Sequence, residues 1–247
     1  MKPLEAIPQP ILGISDLTVS YNRVPAIHHL TITLESGHCV GVFGPNGAGK
    51  STLIKAIAGL LEPETGSILI KGRPQRSGAA LIAYMPQRDA VDWDFPVTVR
   101  GLVEMGRYPH LGLFAPFSGR DREAVDEALE LFQLGPVSHR QIKALSGGQQ
   151  QRAFLARAWA QEADIYLLDE PFAGLDRTSG DALAKALHAL RDRGKLLLVS
   201  HHSLTEAETL FDTAILLNGE LVAQGPTRDV LSSVNLQCAY GTAVYSG

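Results

Sequence analysis

One nine-residue stretch constrains this chain more than any other: Gly44-Pro45-Asn46-Gly47-Ala48-Gly49-Lys50-Ser51-Thr52. It fits the pattern G-x-x-x-x-G-K-[ST], and its flanks are right for that pattern. Before it, Cys39-Val40-Gly41-Val42-Phe43 is a short apolar run, expected as a strand buried on both faces. After it, a helical pattern runs from Lys50 to about Leu60. A strand, a glycine-rich turn and a helix together aim backbone N–H groups inward, because no Cβ blocks the approach of phosphate oxygens. The helix start adds unpaired N–H groups and a partial positive charge. Lys50 is expected to bring a full charge to the β- and γ-phosphates of a nucleotide. Ser51 offers a hydroxyl to magnesium, and Thr52 a further phosphate contact.

A second stretch has the complementary charge. Ile165-Tyr166-Leu167-Leu168 is a strand pattern ending in Asp169-Glu170. It carries two carboxylates to the C-terminal edge of a sheet, where ligands of open α/β sheets bind. Successive strand residues face opposite sides, so the two acids are expected to have different jobs. Asp169 suits the shell of a magnesium ion. Glu170 suits a base that orients and polarises an attacking water.

The rest of the chain reads as alternating strands and helices. Strands are expected at Ile11–Tyr21, Ala26–Glu35, Ser67–Ile70, Leu81–Met85, Leu196–Ser200 and Thr213–Leu217, and helices at Ser179–Arg193 and Leu204–Phe211. The alternation predicts a mostly parallel sheet with crossover helices. The stretch from Gln87 to Ala163 is instead helical, notably Arg120–Leu134 and Gly147–Glu162, and is expected as a lobe inserted in the α/β core. The tail after Pro226 is short, and no further regulatory domain is expected in it. With 247 residues, the whole is expected as a single domain, 1–247, with residues 88–163 forming the inserted helical subdomain.

Composition sets the remaining bounds. A net charge of -4 argues against a dedicated nucleic-acid binder. Two cysteines, Cys39 and Cys238, are too few for a disulfide framework or a cysteine zinc site, and Cys39 is expected as a buried core thiol. No apolar run reaches the ~18 residues of a membrane span, and Met1-Lys2-Pro3-Leu4-Glu5 lacks the apolar run of a signal peptide. A soluble, cytosolic chain is the expectation.

Leu145-Ser146-Gly147-Gly148-Gln149 adds a third motif. Ser146 is a good N-cap, and the two glycines expose helix N–H groups, so this is a second anion-binding helix start. With the phosphate loop and Leu168-Asp169-Glu170-Pro171, in this order and spacing, the chain resembles the nucleotide-binding subunit of an ATP-binding cassette (ABC) transporter over nearly its whole length. The resemblance implies a P-loop NTPase core of the ABC type, in the α/β class, with a small antiparallel β subdomain and an inserted helical subdomain. It implies ATP and Mg²⁺ as ligands and a head-to-tail homodimer, in which the Ser146 helix of one subunit contacts the γ-phosphate of ATP held by the other. Further residues match the family one by one. Gln87, in Tyr84-Met85-Pro86-Gln87, matches the glutamine that senses magnesium and the attacking water. Asp176, in Ala173-Gly174-Leu175-Asp176, matches the loop that crosses the dimer interface. His201, after Leu198-Val199-Ser200, matches the histidine that contacts the γ-phosphate. Tyr21 stands where an aromatic ring stacks on adenine.

Where the family commonly has an acid or amide after that histidine, this chain has His202. As strand neighbours the two rings are expected on opposite faces, which speaks against a shared metal. His28 and His29 read as ordinary strand residues.

The segment Arg88-Asp89-Ala90-Val91-Asp92-Trp93-Asp94-Phe95-Pro96-Val97-Thr98-Val99 resembles the equivalent stretch in bacterial manganese, zinc and iron importers, as does Phe172 after Pro171. The resemblance implies an ATPase powering divalent metal import, manganese first and then zinc or iron. Such a subunit sits at the cytoplasmic face of the bacterial inner membrane and is held there by permease subunits. An extracytoplasmic metal-binding protein acts with it indirectly, and no nucleic acid is involved. Gly106-Arg107-Tyr108-Pro109-His110 is also at home in importers of iron-siderophore, haem and cobalamin, the alternative substrate class. A non-transport ABC ATPase is the more distant alternative. Of sixteen aromatic residues, six (Tyr84, Trp93, Phe95, Tyr108, Phe114, Phe117) lie between Tyr84 and Phe117, an enrichment that suits a groove for a short helix of the permease near residues 88–117. Asp89, Asp92 and Asp94 are expected as surface charges of a loop.

Overall fold

The structure, a computed structural model, describes residues 10–21, 24–77, 81–111 and 116–241. The chain opens with β1 (Leu12–Tyr21), β2 (Val24–Leu34), β3 (His38–Phe43) and α1 (Lys50–Ile57). β4 (Thr65–Ile70), the two-residue β5 (Arg73–Pro74) and β6 (Ile82–Met85) follow. Helices α2 (Val99–Glu104), α3 (Gly119–Leu131) and α4 (Gly147–Ala160) fill the stretch before β7 (Ile165–Leu168). The last third runs α5 (Arg177–Asp192), β8 (Leu196–Ser200), α6 (Ala207–Leu210), β9 (Thr213–Leu217), β10 (Leu221–Pro226), α7 (Thr227–Val230) and α8 (Ser233–Tyr240).

Two sheets result. A four-stranded antiparallel sheet has the order β2-β1-β4-β5, and a six-stranded sheet the order β10-β9-β3-β8-β7-β6. Within the second sheet only the β9–β10 pair is antiparallel. Its central strands are apolar throughout because both faces are covered. Val40, Val42, Ile165, Leu167, Leu196 and Leu198 join the core shared with α1 and the antiparallel sheet. Their neighbours Cys39, Phe43, Tyr166, Leu168, Leu197 and Val199 join the core shared with α3, α4 and α5. The period-two alternation thus splits each strand between two cores. Each fully buried Leu or Ile contributes about 2 kcal/mol relative to exposure.

The helical stretch is secured by local chemistry. Ser118 caps α3 in a reciprocal box with Asp121. Arg107, buried, donates to Asp121 Oδ1 at 2.9 Å, to Glu162 Oε2 at 2.8 Å and to the Ala160 carbonyl at 2.6 Å. Gly106 packs so tightly on α4 that a Cβ would lie 2.3 Å from the Arg157 carbonyl oxygen. His110 bonds the Gln161 carbonyl. Packing thus accounts for Gly106, Arg107 and His110.

Several expectations are corrected. Leu204–Phe211 is not one helix; only Ala207–Leu210 is α-helical. β10 and α8 were not anticipated: β10 alternates weakly and ends in Gly225-Pro226, and α8 has no clear apolar stripe. His29 is not an ordinary strand residue. It sits at a bulge with φ +47°, its Nδ1 2.7 Å from Asp16 Oδ1. Cys39 is a buried thiol, pushed up to about 12 by burial. Among the described residues, no helix is long and apolar enough to cross a membrane.

Candidate functional site

Parallel pairing brings the motifs together. β3 pairs with β8 (Val42 opposite Ser200), β8 with β7 (Val199 opposite Leu168) and β7 with β6 (Leu168 opposite Met85). The residues that follow these strands therefore leave the sheet at one edge: Gly44, His201, Asp169-Glu170 and Pro86-Gln87. Four segments distant in sequence meet there because parallel strands share a C-terminal end.

The loop from Gly44 to Gly49 is glycine-rich for steric reasons. Gly44 (φ +145°) would place a Cβ 2.2 Å from the Leu217 carbonyl oxygen. Gly49 (φ +96°) would place one 2.7 Å from the Ala26 carbonyl oxygen. Gly49 is also the N-cap of α1, and no side chain caps that helix start, so its N–H groups stay available to an anion. Lys50 Nζ donates to the carbonyls of Gly44 (2.8 Å) and Pro45 (2.9 Å). Burial lowers its pKa, and the charges of Glu170 and Asp169 oppose that shift. An open cleft of about 390 Å³ is lined by the Asn46–Thr52 loop together with Tyr21, Ala26, Gln87 and Glu170. The half-exposed Tyr21 thus stands at the wall of this cleft.

The acidic pair is held as two different groups. Asp169 is buried, and its Oδ1 accepts from Ser51 Oγ (3.0 Å) and Ser200 Oγ (2.6 Å). Its Oδ2 is buried with no hydrogen-bond partner. A buried carboxylate oxygen left open beside a serine hydroxyl is the donor set a hard divalent cation takes, so Ser51 and Asp169 fit magnesium. Glu170 has φ +51°, unusual for a non-glycine residue. Its N–H donates to Ser200 Oγ (2.8 Å), its carbonyl accepts from Gln151 Nε2 (3.2 Å), and its Oε2 accepts from Gln87 Nε2 (3.2 Å). The backbone strain is held by contacts on every side.

His201 is placed differently from the phosphate-loop residues. It is buried against Phe43, Phe172 and Phe211, with ring centroids 6.3, 5.4 and 5.7 Å away, and it does not line the cleft. Its Nε2 is buried without a partner. Burial, and then the neighbouring His202, lower its pKa to about 4, so it is neutral at pH 7. The opposite-face argument for His202 fails, because both residues lie beyond the end of β8. The rings are neighbours at 5.5 Å, one buried and one exposed. Among the described residues, no group of three or more His, Cys, Asp and Glu side chains is placed to hold a metal ion.

Ser146 caps α4 in a reciprocal box: its Oγ accepts from Gln149 N–H, and Gln149 Oε1 accepts from Ser146 N–H. Gly147 and Gly148 form the first turn. Asp176 caps α5 by accepting from Ser179 N–H at 2.8 Å, a bond that lowers its pKa. Neither the Ser146 helix start nor Asp176 lines the cleft. The six aromatics do not form one patch. Trp93 and Phe117 pack on the helical core, Tyr84 on the opposite core, and Phe95 and Tyr108 are exposed; Phe114 lies outside the described residues.

Sequence reasoning missed Ser200, Gln151 and Ala26. Ser200 ends β8 with its hydroxyl between Asp169 and the Glu170 N–H. Gln151 lies on α4, far in sequence from the glutamate it holds, and had no signal of its own.

A family model described as ABC transporter matches residues 27–173, which include the phosphate loop, the Ser146 helix and the acidic strand end. The chain belongs to this family. It is an ATP-binding, ATP-hydrolysing subunit of the ABC type. It is 46% identical over 221 residues to the manganese transport system ATP-binding protein MntB of Halalkalibacterium halodurans, covering 90% of this chain and 88% of that one. It is 43% identical over 233 residues to the zinc transport system ATP-binding protein TroB of Treponema pallidum, covering 94% and 88%. Its fold matches an ATP-binding cassette dimer in a post-hydrolysis state with ADP and phosphate bound, at TM-score 0.77 and 25% identity, covering 88% of this chain and 99% of that one.

Proposed function

We propose that this ABC subunit hydrolyses ATP to power import of a divalent metal ion across the bacterial inner membrane, manganese first, with zinc or iron next. The observation that carries the chemistry is Glu170: its carboxylate stands on the wall of the phosphate-loop cleft, held by Gln87 and backed by Ser200. The cargo reading is supported by likeness to MntB and TroB along nearly the whole chain.

The phosphate loop and Lys50 bind the β- and γ-phosphates, Thr52 adds a phosphate contact, and Tyr21 stacks on adenine. Ser51 and Asp169, with Gln87, hold magnesium, which when bound supplies charge to the phosphate oxygens. Glu170 takes the proton of the attacking water, and Gln87 orients that water and the carboxylate. His201, neutral, gives its ring N–H to the γ-phosphate once the site is closed. As the family resemblance implies, two subunits pair head to tail, and the Ser146–Gln149 helix start and Asp176 of each, which stand outside the cleft of their own chain, serve the other's nucleotide. Occupancy then favours closure. The helical subdomain, 88–163, carries that motion to permease subunits docked near residues 88–117, where Phe95 and Tyr108 are exposed. The chain works at the cytoplasmic face of the membrane, and an extracytoplasmic metal-binding protein delivers the cargo.

The test is metal uptake, by element analysis, in cells carrying this chain with its cognate permease, against the Glu170→Gln variant. Manganese, zinc, iron and an iron-siderophore are offered in turn. Selective, Glu170-dependent accumulation of free manganese is the expected result. Uptake of chelated iron alone moves the chain to the siderophore, haem and cobalamin group. No Glu170-dependent uptake of any of them overturns the transport reading.

A further inference from the structure

Arg88 directly follows Gln87, and its side chain reaches the start of α4. Three observations describe the contact. Its guanidinium lies flat against Gly147, so that a Cβ there would meet Cζ and both terminal nitrogens at 2.9–3.0 Å. Its Nη2 donates to Gln150 Oε1 at 3.4 Å, and the Gln150 amide is itself fixed, since its Nε2 donates to the Ile142 carbonyl at 3.2 Å. Trp93 closes the other side: its Nε1 donates to the Arg88 carbonyl at 3.1 Å, its ring centroid is 5.9 Å from Cζ, and it meets Phe154 edge to face at 5.4 Å.

Gly147, Gln150 and Phe154 fall at i, i+3 and i+7, one stripe of α4. Residues 88–93 cover that stripe. Thus one peptide bond separates the side chain that holds the Glu170 carboxylate from the side chain that seats the Ser146–Gln149 helix start. An ammonium could not replace the guanidinium here. Only a planar group lies flat on a glycine while donating edge-on to an amide.

We propose that Arg88 is a positioning residue that sets the orientation of the Ser146–Gln149 helix start relative to Gln87 and Glu170. A shift of Gln87 at one chain's nucleotide is thereby passed to the amides that this chain offers to its partner's nucleotide. Arg88 occupies the space that a side chain at Gly147 would need. The inference rests on the ATPase reading above, and one of its two tests does not need turnover.

The first test is ATP turnover by Arg88→Ala, Arg88→Lys, Gly147→Ala and the double variant Arg88→Ala/Gly147→Ala. Arg88→Ala lowers kcat about tenfold and leaves KM for ATP within about twofold, because alignment is lost and ground-state binding is kept. Arg88→Lys is no better than Arg88→Ala. Gly147→Ala alone is the worst, and removing Arg88 recovers part of its loss, so that the double variant turns over faster than Gly147→Ala. Additive losses, full activity in Arg88→Lys, or a raised KM with kcat unchanged overturns the proposal. The second test reads Trp93 emission in a Trp159→Phe background. Gly147→Ala shifts the emission maximum when Arg88 is present and leaves it unchanged in Arg88→Ala; equal shifts overturn the proposal. A wild-type chain that hydrolyses no ATP breaks the reading beneath, while the emission test still decides the contact.

Discussion

The sheet edge and the helical stretch are built on different principles. At the edge of β3, β8, β7 and β6, the acidic pair is held by single hydrogen bonds to neighbouring segments: Ser51 and Ser200 to Asp169, Ser200 and Gln87 to Glu170. Between β6 and β7 the chain instead packs amphipathic helices around a buried arginine, Arg107, with Asp121 and Glu162. The first arrangement fixes a few atoms against one another, while the second fixes the orientation of whole helices. Damage at the edge is therefore expected to cost rate, and damage to the Arg107 cluster to cost stability.

The largest effect expected is at Glu170. Glu170→Gln retains ATP binding but loses at least about a hundredfold in turnover, measured by phosphate release beside nucleotide titration. Near-normal turnover would erase the distinction at its strongest point. Arg107→Met tests the other side. It strands Asp121 in the interior, with a loss of about 3 kcal/mol in denaturant unfolding and unchanged nucleotide affinity in the folded fraction. A variant as stable as the parent would show that the helices need no such anchor.

Smaller effects sharpen the comparison. His201 has its pKa lowered to about 4 from an ordinary 6.5. As pH falls below 6.5 the unfolded chain takes up the proton first, so stability is lost between pH 6.5 and 4, on the order of 2 kcal/mol in total. His201→Phe removes that slope in a pH series of chemical denaturation. Asp121 shifts the same way in sign but lower on the scale. Bonds from Ser118, then Arg107, hold it down to about 2, so its contribution is lost only as pH falls from 3.8 through that value. The smallest effect is at Ser200. Ser200→Ala frees Asp169 and the Glu170 N–H together, and turnover falls about tenfold with little change in ATP affinity.

The same contrast explains what could be read in advance. The strand ends were legible because their apolar runs stop abruptly at polar or charged residues; Ile165–Leu168, Leu196–Ser200 and Thr213–Leu217 lie where the pattern places them. Leu196 to Ser200 also shows the limit, since nothing in its pattern marks Ser200 as the bridge between two carboxylate residues. In the helical stretch, periodicity found α3 and α4 but not what they touch. Arg107, Gln151 and Arg88 act across gaps of 14 to 62 residues or bond backbone, and such pairings depend on tertiary packing that periodicity does not encode. His201 shows a third case: its family match is plain, yet its aromatic cage of Phe43, Phe172 and Phe211 exists only once three separate segments meet.

The central claim is that one chain holds two half-sites, the phosphate-loop cleft and the Ser146 helix start, which complete each other only between copies. The most direct test is the mass of the Glu170→Gln variant in solution, by light scattering, with and without Mg-ATP. The account predicts the 26.6 kDa monomer without nucleotide and a dimer of twice that mass with it, lost again in a Glu170→Gln/Ser146→Arg double variant that still binds ATP. A variant that binds Mg-ATP fully and stays monomeric at every concentration would contradict it.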